Sequence, residues 1–205
     1  VVENVNGGIM HTVLPSVQMY GADISEDNLI VWDGRQCEVF ELGLQKISPV
    51  TVFDSPCEAH AVFRESIFRC TPNALEVCNL HGTVKRTITF DETMAYPSAI
   101  NCNGEILVVG TASGAIRMWN VSGREPKAIG PSQGRKAVVE GTAVGSLHDI
   151  NVNNSGSRIA MLFSSADEKQ DQGQAMPLLV VYDVEVDNFK QFDLNKYQVP
   201  AKMCW

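Results

Sequence analysis

The hexapeptide IRMWNV at residues 116–121 is one of four related segments that decide the fold of this chain. In each segment the third residue is Val or Met, the fourth is large or carries a thiol, the fifth is acidic or an amide, and the sixth is Leu or Val. The other three segments are CEVFEL at 37–42, LEVCNL at 75–80 and LVVYDV at 179–184. A template used four times indicates an internal repeat.

The spacing of these segments indicates which repeat this is. The first three begin 38 and 41 residues apart, and a WD-type propeller blade takes roughly 40–45 residues. The fourth begins 63 residues after the third, which we attribute to insertions at 130–145 and 165–177. β-Branched runs bounded by Gly, Asn and Ser complete four strands around each segment. Because no helical apolar pattern persists beyond about ten residues, we expect an all-β protein.

We therefore expect residues 1–205 to be part of a single WD40-type β-propeller, with about four blades and strands of two neighbouring ones. The blades are expected near 15–53, 56–90, 96–129 and 146–194, and the neighbouring strands at 8–14 and 199–205. Pro126 is expected in a short outer strand, because a central strand would lose a hydrogen bond there. The opening VVENVNGGIM has neither an initiator Met nor a leader pattern, so we expect a fragment of a longer protein.

The charge and composition of the chain limit the classes of partner and the compartment that we expect. The chain carries a net charge of -8, the wrong sign for attraction to nucleic acid or anionic lipid. No apolar run approaches the roughly 20 residues of a membrane-spanning helix, so direct membrane insertion is not expected. The 6 cysteines contain no C-x-x-C pair, and most lie in apolar strand-like runs, which is typical of free thiols in a reducing, intracellular compartment.

No sequence motif predicts a cofactor, a metal or a catalytic residue. GTASGAIRMW at 110–119 lacks the G-K-[ST] and G-x-G-x-x-G patterns of phosphate loops, so Gly114 is expected in a hairpin turn. DISEDNLIVWDG at 23–34 begins like a calcium loop but has Asn28 and Gly34 at the two anchor positions. The 4 histidines show no zinc spacing.

The large residues of the repeated segments are expected to form the structural core of the blades, filling the space between neighbours. These residues are Phe40, Cys78, Trp119 and Tyr182. A propeller enzyme would need polar residues at matching innermost-strand positions. The approximate matches are Tyr20, His60, Ala99 and His148, which do not form such a set. A non-enzymatic binding protein is the expectation, and an enzyme with a funnel active site is the rival. No sequence feature singles out partner-binding residues.

Longer stretches carry a family resemblance. They are AVFRESIFRCTPNALEV at 61–77, LHGTVK at 80–85, ILVVGT at 106–111, SGREPKA at 122–128 and VVYDVEVDNF at 180–189. Together they make residues 12–205 resemble the second WD40 propeller of the 140-kilodalton subunits of intraflagellar transport complex A. That family has two N-terminal propellers and a helical-repeat tail.

The resemblance implies a non-catalytic scaffold subunit that supports retrograde ciliary transport and entry of membrane cargo into cilia. It also implies other complex A subunits and ciliary cargo adaptors as partners, and a location in the cilium or flagellum, the basal body and the cytoplasm. A vesicle-coat or nuclear-pore scaffold is the alternative, since these assemblies share the propeller-plus-helical-tail design.

Two features depart from the family pattern. The segment near 194–197 is shorter than the family leads one to expect, which suggests that a loop is missing there. The hydrogen-bond network of His, Ser or Thr, and Trp found in strong WD40 repeats is not evident, which puts a standard blade-top recognition surface in doubt.

Overall fold

The computed structural model describes most of the chain. The described residues are 2–3, 9–11, 15–43, 46–90, 96–112, 114–132, 134–137, 146–163, 178–194 and 203. All regular structure among them is β-strand, in one two-stranded sheet and four larger sheets. The expected all-β class is confirmed. The chain forms two compact units, the first made of 1–69 and 76–88 and the second of 70–75 and 89–205.

The first unit opens with a small antiparallel pair, β1 (Val2–Glu3) and β2 (Ile9–His11). A four-stranded antiparallel meander follows, in the order β3 (Gly21–Ser25), β4 (Asn28–Trp32), β5 (Gln36–Leu42) and β6 (Ile47–Asp54). Pro49 lies opposite Phe40, where the register shifts between Val39 and Phe40. An outer strand tolerates this Pro because its missing N–H faces no further strand.

The second large sheet repeats the meander. Its strands run in the spatial order β10–β9–β8–β7, where β7 is His60–Phe63, β8 is Ser66–Thr71, β9 is Ala74–Asn79 and β10 is Val84–Thr89. β7, at one end of this sheet, is joined to β8 by a two-residue turn at 64–65. Arg64 has φ 53° there, and Glu26 and Gly104 have φ 50° and 56° at the matching turns of other sheets. These tight turns hold each hairpin in register.

Two further sheets belong to the second unit. The third sheet has the order β11 (Pro97–Asn103), β12 (Ile106–Thr111), β13 (Ala115–Asn120) and β14 (Lys127–Ile129), with β15 (Arg135–Lys136) also paired to β13. The fourth has the order β16 (Leu147–Val152), β17 (Arg158–Phe163), β18 (Leu178–Asp183) and β19 (Asn188–Asp193).

Each unit has a core built from alternating strand residues. In the first unit, Ile30, Trp32, Cys37 and Val39 pack with residues of β7, β8 and β9. In the second, a larger cluster joins β11, β12 and β13 to β16, β17 and β18. Its members include Ile116, Met161, Phe163 and Val180, all at most 1% exposed. The strands therefore bury side chains on both faces, as sheets stacked face to face require.

The structure differs from the sequence expectations at the outer edge of the third sheet. Residues 135–136, inside the expected insertion at 130–145, form β15 and pair with Ala115 and Ile116. Pro126 precedes β14 instead of lying within it, because the strand pairing with β13 starts at Lys127. Of the expected neighbouring strands, 8–14 contains β2 and 199–205 is described only at Met203. The insertion at 165–177 and residues 195–197 lie outside the described residues.

Candidate functional site

The four core residues predicted from the repeat all lie on the third strand of their sheets. Phe40 is on β5, Cys78 on β9, Trp119 on β13 and Tyr182 on β18. Each is at most 3% exposed. Cys78 packs in the core of the first unit and Tyr182 in that of the second. Their expected part in joining adjacent blades stays a prediction.

Trp119 has an aromatic and cationic environment. The Phe90 ring meets it edge-on with ring centroids 6.2 Å apart. The Arg117 guanidinium lies 5.0 Å from the Trp119 ring centre and 5.2 Å from that of Phe90. Such cation–π contacts add to the apolar burial of the rings. Trp119 is thus placed for packing, with no reactive group at the indole.

Gly114 follows β12 and precedes β13, and its φ is +79°. Its N–H donates to the Thr111 carbonyl, and the Thr111 hydroxyl accepts from the Ala115 N–H at 3.1 Å. A side chain at this φ would be strained. The residue thus lies in the turn between the second and third strands, where it has no ligand-binding feature.

The polar groups closest to an active-site arrangement form a buried cluster in the first unit. Ser55 and His60 are 0% and 3% exposed, and Ser55 Oγ lies 2.7 Å from His60 Nε2. Arg69 donates to Ser55 Oγ at 3.2 Å and pairs with Glu76 at 2.7 Å. The His60 ring centroid lies 5.0 Å from that of Trp32. We call these five residues the His60 cluster.

Burial sets the electrostatics of the His60 cluster. Desolvation, helped by the nearby Arg69 charge, lowers the pKa of His60 to about 3. Burial likewise raises the pKa of the neighbouring thiols, to about 12 at Cys37 and about 11 at Cys78. The imidazole is therefore neutral and the thiols are protonated at physiological pH.

These values decide what the His60 cluster can do chemically. A general base needs a pKa near the working pH and a reachable substrate. His60 has neither, since its pKa is far too low and the hydroxyl beside it is fully buried. The Ser–His pair therefore links the segment after β6 to β7, and Arg69 connects β8 to the same serine.

The innermost-strand positions offered for a funnel enzyme do not share one environment. Tyr20 is 70% exposed before β3, whereas His60 and Ala99 are buried on β7 and β11. His148 is exposed on β16. Within the described ranges, no group of three or more His, Cys, Asp and Glu side chains is placed to hold a metal ion.

A small pocket lies in the second unit, beneath the link between β14 and β15. Ile116, Met118 and Ile129 form apolar walls, and its cavity volume is about 150 Å³. At its mouth, Asp187 accepts from the Tyr182 hydroxyl at 2.7 Å and pairs with Arg135 at 2.7 Å. Since ligand sites usually take roughly 300–1,000 Å³, this pocket is small for a drug-sized molecule.

Two exposed tyrosines occupy matching places in the chain. Tyr20 immediately precedes β3 and is 70% exposed, and Tyr96 immediately precedes β11 and is 59% exposed. The Tyr20 N–H donates to the Trp32 carbonyl, and the Tyr96 carbonyl accepts from the Ala112 N–H. The backbone of each tyrosine is thus hydrogen-bonded while its aromatic ring stays open to solvent, which suits protein contact.

The His60 cluster was missed from the sequence. We did not expect a network of His, Ser and Trp, yet Ser55, His60 and Trp32 meet in the first unit. Trp32 itself donates to the Glu58 carbonyl at 2.8 Å. The available signal was SPCEAH at 55–60, where a Ser and a His flank the start of an apolar strand.

The described part of the chain contains no helix long and apolar enough to cross a membrane. Its successive four-stranded meanders with buried faces define a partial β-propeller. A family model for the second β-propeller of IFT140 matches residues 1–202. The chain belongs to that family.

Among solved structures, the crystal structure of the computationally designed Ika8 protein is similar, with a TM-score of 0.57. The two sequences are 11% identical, and the match covers 94% of this chain and 54% of that one. The chain thus spans about half the length of that protein. At this identity the likeness concerns the fold alone.

Proposed function

We propose that this propeller belongs to a non-catalytic scaffold subunit of intraflagellar transport complex A. The observation that carries the proposal is the family match over residues 1–202. The subunit would support retrograde ciliary transport and entry of membrane cargo into cilia, with other complex A subunits and ciliary cargo adaptors as partners. Its expected location is the cilium, the basal body and the cytoplasm.

The geometry of the described residues supports a role in protein binding. In the His60 cluster, Ser55 and His60 are buried and bonded to each other and Arg69 is paired with Glu76, and the pocket beneath β14 and β15 is small. Loops carried by a rigid scaffold hold a disproportionate share of binding residues. Tyr20 and Tyr96 are the exposed aromatic groups that such contacts favour.

The experiment is affinity purification of the tagged full-length protein from ciliated cells, followed by mass spectrometry. The proposal expects complex A subunits in amounts comparable to the bait. Recovery of coat or nuclear-pore subunits without intraflagellar transport proteins would replace it with the alternative scaffold. Depletion of the protein should also make transport particles accumulate at ciliary tips, because retrograde movement returns them to the base.

Variants of the exposed tyrosines test where partners bind. Tyr20→Ala and Tyr96→Ala, made separately in the full-length protein, should reduce recovery of at least one complex A subunit. Phe192→Ala is the matched control, since Phe192 is 48% exposed but lies on the outer strand β19. Equal recovery from all three variants would show that the loops before β3 and β11 are not contact surfaces.

A further inference from the structure

The first strand of each of the four large sheets lies at an edge, so part of its backbone has no strand partner within its sheet. We call these four strands the innermost strands. β3, β7, β11 and β16 each lie at one end of their sheet. The outward N–H and C=O groups of an end strand have no ladder partner. Such groups must find another hydrogen-bond partner when the surroundings are buried.

In the first unit, β3 supplies these partners to β7 through side chains two residues apart. Asp23 Oδ2 accepts from the Val62 N–H at 2.8 Å. Ser25 Oγ accepts from the Arg64 N–H at 3.0 Å. One carboxylate oxygen of Asp23 is therefore hydrogen-bonded to the backbone of β7, although the sequence around Asp23 resembles the start of a calcium loop.

A related arrangement occurs in the second unit, where two side chains of β11 bond to a single residue of β16. Asn101 Oδ1 accepts from the Val152 N–H at 3.0 Å. Asn103 Nδ2 donates to the Val152 carbonyl, also at 3.0 Å. One amide side chain satisfies the donor and the other satisfies the acceptor of a single residue on the next innermost strand.

β16 repeats the arrangement toward Met203. Asp149 Oδ2 accepts from the Met203 N–H at 2.8 Å, and Asn151 Nδ2 donates to the Met203 carbonyl at 3.2 Å. All of these side chains on β3, β11 and β16 are half-buried. The sequences concerned are DIS at 23–25, NCN at 101–103 and DIN at 149–151.

Strand geometry explains the spacing. Residues i and i+2 point to the same side of a strand and lie roughly 6.8 Å apart, so both can reach one neighbouring extended backbone. An ionised carboxylate makes the stronger acceptor, because charge-assisted hydrogen bonds exceed neutral ones. Side chains thus replace the ladder that the sheet edge lacks.

β7 is the exception. Counting back from the two-residue turns, Ala61 and Phe63 hold the positions of Asp23 and Ser25. Neither side chain has a hydrogen-bonding atom. The pair is therefore a feature of particular innermost strands, and its presence can be recognised from the sequence.

We propose that the polar pair on an innermost strand, Asp or Asn followed two residues later by Ser or Asn, is a docking surface for the next innermost strand. In particular, Asp149 and Asn151 receive the backbone of Met203. The occupant is defined by its backbone: the pair on β3 accepts from two N–H groups, and the pairs on β11 and β16 each bond one N–H and one C=O.

Hydrogen–deuterium exchange of the full-length protein, resolved to single amides by mass spectrometry, tests this proposal. Asp149→Ala should speed exchange at Met203 by about tenfold, the factor expected for a lost charge-assisted hydrogen bond. Asp149→Asn keeps an acceptor and should restore most of the protection. Asn101→Ala should act in the same way on Val152, while Asn101→Asp should not.

Two results would overturn the proposal. One is unchanged exchange at Met203 in Asp149→Ala. The other is an equal rise at all amides of β16, β17 and β18, which would indicate general destabilisation. Asn154→Ala, in the exposed turn after β16, is the matched control. If Asp149→Ala fails to fold, Asn151→Ala removes the bond to the Met203 carbonyl and should still raise local exchange.

Discussion

The two units fill their interiors differently although they use the same repeated segment. The first unit encloses the His60 cluster beside Cys37 and Cys78, so its core is partly polar. The core of the second unit joins large apolar residues, among them Met161, Phe163 and Tyr182. The strand template therefore fixes which positions are buried, while the side chains there decide how the core is stabilised.

This difference has consequences for stability. An apolar core responds to lost volume, because removed atoms leave a cavity. A buried polar cluster responds to lost partners, because the remaining groups stay desolvated without a hydrogen bond. The two units should consequently differ in which substitutions and conditions unfold them.

The largest expected effect comes from truncating to alanine the fourth residue of the repeated segment, which is compared between the two units. Trp119→Ala should lower the free energy of unfolding by about 3–5 kcal/mol, since a fully buried indole leaves a large cavity. Cys78→Ala should cost only about 1–1.5 kcal/mol, because it removes one sulfur atom. Urea unfolding followed by circular dichroism measures both. An unchanged unfolding curve for Trp119→Ala would contradict its placement in the core.

Breaking the ion pair of the His60 cluster should have the next largest effect. Arg69→Met removes the donor to Glu76 and one of the partners of the Ser55 hydroxyl, and we expect the free energy of unfolding to fall by about 2 kcal/mol. The Arg69 and Glu76 side chains are only 12% and 20% exposed. Arg158→Met is the control, because its pair with Asp183 is 3.7 Å long and Arg158 is 59% exposed. If both variants lower the free energy of urea unfolding equally, the ion pair of the His60 cluster stabilises the fold no more than the exposed pair does.

Acid should weaken the first unit through His60. Its pKa is about 3 in the folded chain against an ordinary 6.5, so the unfolded state binds the proton more readily. The stabilisation is complete above pH 6.5 and is lost as pH falls toward 3, by at most about 1.4 kcal/mol per pH unit.

The measurement is the unfolding free energy of wild type and His60→Gln at pH 7 and pH 5.5. The wild type should lose about 1 kcal/mol more than the variant over this interval, since the substitution removes the imidazole that carries this linkage. A parallel decline in both proteins would show that other groups cause the acid sensitivity.

The smallest expected effect compares two hairpin glycines. Gly34 and Gly114 have φ +83° and +79°, so alanine at either should cost about 1 kcal/mol. A Cβ at Gly114 would lie 3.2 Å from the buried Phe163, whereas one at Gly34 would lie 3.4 Å from the exposed Tyr20. Gly114→Ala should therefore shift the thermal midpoint more. A larger shift in Gly34→Ala would mean that the Phe163 side chain moves away from the added Cβ more easily than Tyr20 does.

Much of the fold follows from local patterns in the sequence. The strand order of each sheet, the third-strand place of Trp119 and the all-β class came from β-branched runs, turn residues and a repeat. These signals are short-range, so a single sequence carries them. The outer edge of the third sheet was less clear, because GPSQGRK at 130–136 has loop composition although Arg135 and Lys136 pair with β13.

The candidate sites were harder to predict. The sequence has no phosphate-loop motif at GTASGAIRMW, and no local pattern in it indicated that Ser55, His60 and Arg69 come together. The polar tripeptides DIS, NCN and DIN were also visible without revealing their partners. Asp23 meets Val62 from 39 residues away, a separation that no local pattern specifies.

The sequence by itself determined the repeated four-stranded unit and, through its longer motifs, the propeller family. The tertiary structure alone decided which polar side chains are buried and which backbone groups they satisfy. The reason is physical. Strand formation depends on neighbours along the chain, whereas burial and hydrogen-bond pairing across sheets depend on residues brought together only when the sheets pack.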